Sequence, residues 1–588
     1  MKHLQSINKY LLTYRYRLLA GILFIVLSNF FGVLAPVFIR SGIDLVLHNA
    51  KLISAYDQTL IPTGILDNFY SGVLYFSMLT IILAFMRAVF LFFMRQTIIV
   101  MSRYIEYDQK NELFAKYQSL DVLFYKKNFT GDLMTRLTED ISKVRMYYGP
   151  GLMYTINLLV LTMLVSYQMI RVSGTLAFWS MLPLPLMLIS IFYINRKLES
   201  MSAAIQTKLS ALNTFVQESF SGIRVIKAFV RQTVFTKEFE QSCADYRKRS
   251  LALVKLEAIY FPVIAFLVGL SIVLTIYVGG QLVKAGQISP GVIVEFVIYI
   301  NMVAWPFAAV GWVTALVQQA AVSQGRINEF LRMDSSLKNG HQAIQNFQKQ
   351  IQLERVSFTY PETGIKALKN VSFNIASGSK VAIVGRTGSG KSTLAMLLTR
   401  AFDPDQGTIT IDGIPINQLN MQDYRKLISL VPQDVFIFSD TIKSNILFGS
   451  ERRDPEEATY FAKLAYLHHD VADFNEQYET LVGERGVTLS GGQKQRLAIA
   501  RALARKPKIV ILDDALSAVD TVTETQLMRN LCEVISGTVI LITHRVSSIQ
   551  DFDNIIVLEQ GQVAEQGTHE QLMSNKAAYY NLVQDQHT

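Results

Sequence analysis

Six long stretches almost without charge recur in the first half of this 588-residue sequence. The first covers residues 18–39, between Arg17 and Arg40. The second covers 73–94 and is interrupted by Arg87. The third lies between Arg145 and Arg171, and the fourth between Arg171 and Arg196. The fifth lies between Glu257 and Lys284, and the sixth runs from Gly291 toward Gln319 with Glu295 inside it. Each suits a bilayer core, which takes about 20 apolar residues to cross. Inside hydrocarbon a chain must satisfy its own backbone polar groups, so such stretches fold as helices. A large soluble helical core is the competing explanation, and six stretches in one half argue against it. Only 18% of residues are charged, below the about 25% of soluble domains, so an ordinary cytosolic enzyme does not fit. Two cysteines, Cys243 and Cys532, are too few for a secreted disulfide scaffold.

Charge orients these spans. The formal balance is +13 over residues 1–340 and −4 over 341–588. The basic excess therefore belongs to the apolar half. It suits loops that face anionic membrane lipids. Nucleic acid, which needs basic residues gathered on a folded polar face, is not an expected partner. With the N-terminus in the cytoplasm, the basic clusters around Arg15, Lys127 and Lys248 all fall inside, as the positive-inside rule requires. The outer loops then hold only Arg40, Lys51, Arg171 and Lys284. Six spans return the chain to the cytoplasm, so the expected location is a bacterial cytoplasmic membrane with both termini inside. Two inner segments, 96–145 and 196–255, are far longer than turns. They are expected to be membrane helices that extend into the cytoplasm and fold back near residues 121–131 and 219–227.

Beyond Gly340 the composition changes. Residues 351–360 alternate like a strand, and 381–384 form a short buried one. Next comes Gly385-Arg386-Thr387-Gly388-Ser389-Gly390-Lys391-Ser392-Thr393, a phosphate loop in its required setting of strand before and helix after. Its glycines let backbone N–H groups curl around phosphate oxygens. Lys391 adds a cation for the β- and γ-phosphates, and Ser392 offers a hydroxyl to magnesium. The following helix points its positive end at the anion. A second apolar strand, 509–512, ends in Asp513 and Asp514. A carboxylate there, Asp513, is placed to hold hydrated magnesium. Between them stands Leu489-Ser490-Gly491-Gly492-Gln493, followed by a helical run over 494–503.

This last motif, complete as it stands, resembles the signature of the ATP-binding cassette family. Six spans and a cassette in one polypeptide resemble a half-size exporter of that family. The expected fold is a membrane α-helical domain, residues 1–325, a linker, 326–350, and an α/β P-loop NTPase cassette, 351–588. The resemblance implies roles for further residues. Tyr360 would stack on adenine, and Gln433 would sense magnesium and face the membrane half. Ser490, Gly491, Gly492 and Gln493 would meet the γ-phosphate of an ATP held by another chain. His544 would contact the γ-phosphate on its own loop. Residues 130–133 and 221–227 resemble the two coupling hairpins. The cofactors implied are ATP and Mg2+.

One position departs from the pattern. The family places Glu after the magnesium aspartate, as the group that polarises the attacking water, and here it is Asp514. Aspartate is shorter by one methylene, so slow hydrolysis is expected at this chain's own site. Because each ATP needs two cassettes, a dimer is implied. A heterodimer with a second half-transporter carrying Glu suits the intact signature and weakened base, and a homodimer stays open. The expected activity is ATP-driven export of a hydrophobic or amphipathic, drug- or lipid-like substrate. A channel or regulatory subunit, and an importer built on the exporter fold, use the same parts and stay open.

Overall fold

A computed structural model of the protein describes residues 2–55, 63–451, 454–534 and 537–587. They fall into two compact units, residues 1–118 with 131–333, and 119–130 with 334–588. In the first unit the apolar stretches lie in helices α1 (Arg15–Ala55), α2 (Thr63–Ser119), α3 (Leu152–Val172), α4 (Pro183–Ser221), α5 (Gln232–Lys284) and α6 (Pro290–Leu331). Among the described residues, six helical segments are long and apolar enough to cross a membrane. Helices α2 and α5 have 57 and 53 residues, more than twice the about 20 that a bilayer core needs. Their surplus is the polar part of the sequence.

Local chemistry sets the bends. Helix α2 stops at Ser119, and Asp121 caps a short helix, Val122–Lys127, by accepting the Phe124 N–H at 2.9 Å. Helix α4 stops at Ser221, and Gly222 leads into the short helix Ile223–Ala228 before α5 begins. The first bend, residues 119–130, groups with the second unit although composition assigns it to the membrane half. Helix α6 also runs past residue 325, the boundary expected from composition. Its buried stripe of Ala320, Ser323, Gln324, Ile327 and Phe330 keeps helical spacing to the end, so nothing stops the helix earlier.

Helix α6 approaches α1 closely at its start. A Cβ on Gly291 would lie 2.7 Å from the Arg40 carbonyl oxygen, so only glycine fits. Asp44 accepts the Ser289 hydroxyl at 2.5 Å and the Gly291 N–H at 2.9 Å. Next along α6, buried Glu295 pairs with Arg40 at 2.9 Å. The Tyr299 hydroxyl lies 2.9 Å from the Val33 carbonyl oxygen and 3.0 Å from Glu295 Oε1. A charge at membrane depth persists where it is paired, and Glu295 is paired between helices. Arg40→Ala is expected to destabilise the protein by about 3 kcal/mol, because it strands a buried carboxylate, whereas Arg40→Leu with Glu295→Leu restores most of the loss. Thermal unfolding in lipid nanodiscs checks this, and equal losses in the single and double variants would contradict it.

The second unit holds two sheets. Strands β1 (Gln350–Thr359), β2 (Lys366–Ala376), β4 (Gln406–Ile411) and β5 (Ile414–Pro415) form an antiparallel sheet in the order β2-β1-β4-β5. The other sheet contains β3 (Lys380–Val384), β6 (Ile428–Val431), β7 (Ile509–Asp513), β8 (Thr538–Thr543), β9 (Asn554–Glu559) and β10 (Gln562–Gly567). Its order is β10-β9-β3-β8-β7-β6, parallel throughout except for β10. The inner strands read as unbroken apolar runs because both faces are covered. Alternate residues serve opposite cores. Ala382, Val384, Val510, Leu512 and Leu541 pack on one side, and Val381, Ile383, Ile511, Ile540 and Ile542 on the other. Each buried aliphatic side chain contributes about 1.5–3 kcal/mol, which makes the sheet a rigid base for the loops at its ends.

Candidate functional site

Register brings distant residues together. Val384 pairs with Thr543, Ile542 with Asp513, and Leu512 with Val431. The neighbouring strands β3, β8, β7 and β6 therefore end at one edge. The residues just beyond them are the phosphate loop, His544, Asp514 and Gln433. The carboxyl edge of a parallel sheet is where such proteins bind ligands.

The phosphate loop depends on its glycines. Gly385, Gly388 and Gly390 have φ of 153°, 82° and 102°, values that other residues rarely adopt. A Cβ on Gly385 would lie 2.2 Å from the Leu558 carbonyl oxygen, and one on Gly390 would lie 2.6 Å from that of Ala367. Helix α7 (Lys391–Leu398) starts at the end of the loop. The Lys391 ammonium donates to the carbonyls of Gly385 and Arg386 at 2.8 and 2.9 Å. Burial lowers its pKa, and Asp514 and Asp513 oppose that shift. Thr387 is exposed, and Arg386 pairs with Asp585 at 2.8 Å. The Ser389 hydroxyl is buried and has no hydrogen-bond partner among the described residues.

Ser392 donates to Asp513 Oδ1 at 3.1 Å. Burial pushes the Asp513 carboxyl up, against the hydroxyl of Ser392. Among the described residues no group of three His, Cys, Asp or Glu could cage a metal ion. The oxygen donors of Ser392, Asp513 and Gln433 do fit magnesium, which prefers few protein ligands and takes the rest from phosphate and water.

Asp514 occupies the centre of the edge. Its backbone is left-handed, with φ of 49°, a conformation that aspartate tolerates better than most residues. Gln433 Nε2 donates to one carboxylate oxygen at 3.3 Å, and His544 Nδ1 lies 2.9 Å from the other. One carboxylate thus joins the three loops that follow β6, β7 and β8.

Tyr360 lies beside the loop, its hydroxyl 2.9 Å from Thr393 Oγ1. Its ring forms an aromatic group with Phe358 and Phe402, at centroid distances of 5.2 and 6.1 Å. Lys126, from the short helix Val122–Lys127, places its ammonium 5.2 Å from the Tyr360 ring centroid and 5.0 Å from that of Phe402. This is a cation–π arrangement. Neither Lys126 nor Phe402 was legible as a site residue, because no local motif marks a contact made across more than 200 positions.

The signature residues stand at a different helix. Ser490 caps α8 (Gly491–Ala504), accepting the Gln493 N–H at 3.3 Å, while the Gln493 side chain accepts the Ser490 N–H at 3.0 Å. This reciprocal cap holds the turn open. A Cβ on Gly492 would lie 2.9 Å from the Ala518 carbonyl oxygen, and one on Gly491 would lie 3.5 Å from the Ala518 side chain. Ser490 and Gly491 are exposed. Among the described residues no hydrogen bond ties residues 490–493 to the phosphate loop. They form an outward-facing helix N-terminus with positive dipole character.

Lys391→Ala removes the half-buried cation, and nucleotide affinity is expected to fall about 10- to 100-fold, the worth of a charged hydrogen bond. Titration with a fluorescent ATP analogue measures it, and unchanged affinity would contradict the role given to the loop.

Residues 18–307 match the family of ABC transporter transmembrane regions, and residues 368–517 match the ABC transporter family. The probable multidrug resistance ABC transporter ATP-binding/permease protein YheI of Bacillus subtilis is 36% identical over 80% of this chain and 81% of its own length. The multidrug resistance-like ATP-binding protein MdlA of Escherichia coli is 36% identical over 78% of each. A bacterial Atm1-family ABC exporter with ATP bound has the same fold, with a TM-score of 0.78 at 24% identity over 98% of both chains. With its membrane helices and ATP-binding cassette in one polypeptide, the chain belongs to the ABC transporter family, as a half-transporter whose ATPase activity is coupled to transport.

Proposed function

We propose that this chain is the slower half of a heterodimeric exporter. The complex would move a hydrophobic or amphipathic, drug- or lipid-like substrate outward by alternating access. ATP-driven export and a dimeric assembly are common to exporters of this type. The heterodimer, the substrate class and the residue roles are the additional reading. The cassette would lie in the cytoplasm of a bacterial cell, following the Lys and Arg distribution.

The observation that carries the reading is Asp514, held between Gln433 and His544. A base must come within about 3 Å of the proton it takes. Where the family has glutamate, this side chain stops one methylene short, and a misplacement near 1 Å can cost about a hundredfold. The signature at Ser490 is intact and exposed, so this chain can complete a competent site on a partner. Two further surfaces suit an assembly. Phe220, Val225, Phe229 and Val230 are exposed at the second bend, and Phe436 and Phe438 are exposed near Gln433. Apolar groups of this kind on a protein surface mark interaction sites. The multidrug resistance names of the relatives YheI and MdlA favour a drug-like substrate.

In the proposed cycle, ATP binds the phosphate loop of one chain and residues 490–493 of the other, and so favours the closed cassette pair. Tyr360 would stack on the base, and Lys391 and the loop amides would hold the phosphates. Bound magnesium would supply charge neutralisation there, held by Ser392, Asp513 and Gln433. His544 would meet the γ-phosphate, and Asp514 would orient the water. Bends at residues 119–130 and 221–231 would pass closure to the spans. Hydrolysis then releases the pair and resets the inward-facing state.

The chain purified alone is expected to hydrolyse ATP slowly, and Asp514→Glu is expected to raise its turnover about 10- to 100-fold by restoring reach. Phosphate release assays measure both. Brisk hydrolysis by the unaltered chain alone, abolished by Asp514→Asn, would show a competent homodimer instead. In inside-out vesicles containing the native complex, ATP is expected to drive uptake of a lipophilic dye. No ATP-dependent uptake of any amphipathic probe would count against the substrate class.

A further inference from the structure

The last described helix, α9 (Ala578–His587), touches two of the loops at the site. Tyr579, Val583 and Gln586 recur at i, i+4 and i+7, so they share one face of the helix. Tyr579 and Val583 are buried in the same core as Val546, Ile549 and Phe552. The Tyr579 N–H donates to Glu565 at 2.7 Å, and its hydroxyl lies 2.8 Å from His569 Nδ1. The helix is therefore seated firmly, and Gln586 follows on the same face as an exposed residue.

The Gln586 carboxamide grips the backbone at His544. Its Oε1 accepts the Val546 N–H at 2.9 Å, and its Nε2 donates to the His544 carbonyl. A carboxamide carries one acceptor and one donor side by side. A backbone presents the complementary pair as the C=O of one residue and the N–H of the second residue after it. Gln586 matches that pair across residues 544–546. The adjacent Asp585 reaches Arg386 in the phosphate loop at 2.8 Å, though this pair is exposed and contributes little by itself. On the other side, the Arg545 guanidinium donates to the Ser517 carbonyl at 2.8 Å and to Glu524 at 2.8 Å. The segment 544–546 is thus held by Gln586 on one side and through Arg545 on the other, while the His544 ring meets Asp514.

We infer that Gln586 is a positioning residue that fixes the His544 segment, so that the imidazole meets the terminal phosphate of ATP. The inference rests on the γ-phosphate role proposed for His544. It predicts discrimination between ATP and ADP, because only ATP carries the phosphate that His544 would touch. The Gln586 brace touches neither nucleotide, so a loss of discrimination without a loss of ADP binding is its mark. A general structural role would weaken both nucleotides and lower the thermal midpoint.

The test uses the full-length chain in its native complex, reconstituted in nanodiscs with magnesium on ice. Labelling of this chain by 8-azido-ATP is competed with ATP and with ADP. Gln586→Ala is expected to reduce the ATP-over-ADP preference about three- to tenfold, the loss of a neutral hydrogen bond's worth of positioning, with ADP affinity and thermal midpoint unchanged. Gln586→Glu keeps the acceptor for Val546 and loses the donor to His544, and is expected to fall between. In a His544→Ala background, Gln586→Ala should add nothing further. An unchanged preference in Gln586→Ala, while His544→Ala loses it, overturns the brace alone. An unchanged preference in His544→Ala overturns the role of His544, and the brace with it. Parallel losses for ATP and ADP in Gln586→Ala also overturn the proposal, since they indicate a structural role.

Discussion

Parallel hydrogen bonding between β3, β8, β7 and β6 puts four loops on one edge of a sheet, and the chemistry of this chain depends on that edge. Strand pairing sets the spacing between loops whose contacting residues are 30, 81 and 121 positions apart in sequence. Two apolar cores, one on each face, make the register costly to shift, since a slip of one residue would turn every side chain to the wrong side. With the register held, Asp514 needs no long-range search to reach Gln433 and His544. The phosphate loop needs glycine at Gly385 and Gly390 because neighbouring carbonyls crowd it. The site is thus an outcome of strand order.

Much of this was legible in the sequence, and the reasons are physical. Span length and charge placement are one-dimensional properties, so the six membrane helices could be read from residues such as Arg17, Arg40 and Lys284. The phosphate loop, Asp513 and the signature at Ser490 are local motifs whose backbone geometry requires particular residue types. Other features depend on tertiary contact and left no local mark. The pairing of Arg40 with Glu295 spans 255 positions, so no local pattern marks it. The grouping of residues 119–130 with the cassette reflects Asp121, which accepts from both Ser335 and Ser336. Lys126 sits beside Lys127 in an inner basic cluster with no motif to mark it, although it lies over Tyr360. Gln586 belongs to a short helical stripe that no motif distinguishes.

Asp514 links the local geometry to the assembly. A shorter carboxylate in a left-handed turn costs little in backbone strain and sacrifices reach. Its two neighbours, Gln433 and His544, are the groups that would otherwise respond to the nucleotide. On the reading proposed above, a site built this way would favour holding ATP over cleaving it. The exposed cap at Ser490 keeps its full geometry, so in the proposed assembly the chain would present a sound half-site and a slow one. Such a division of labour is meaningful only if each nucleotide is shared between two chains.

Cryo-electron microscopy of the complex purified from native membranes, with ATP bound under conditions that block hydrolysis, tests that sharing most directly. The account predicts one nucleotide on the phosphate loop at Lys391 facing the signature of a different polypeptide, and a second nucleotide on that polypeptide's loop facing Ser490 of this chain. Nucleotide enclosed by a single chain, with Ser490 remote from any phosphate, would contradict it.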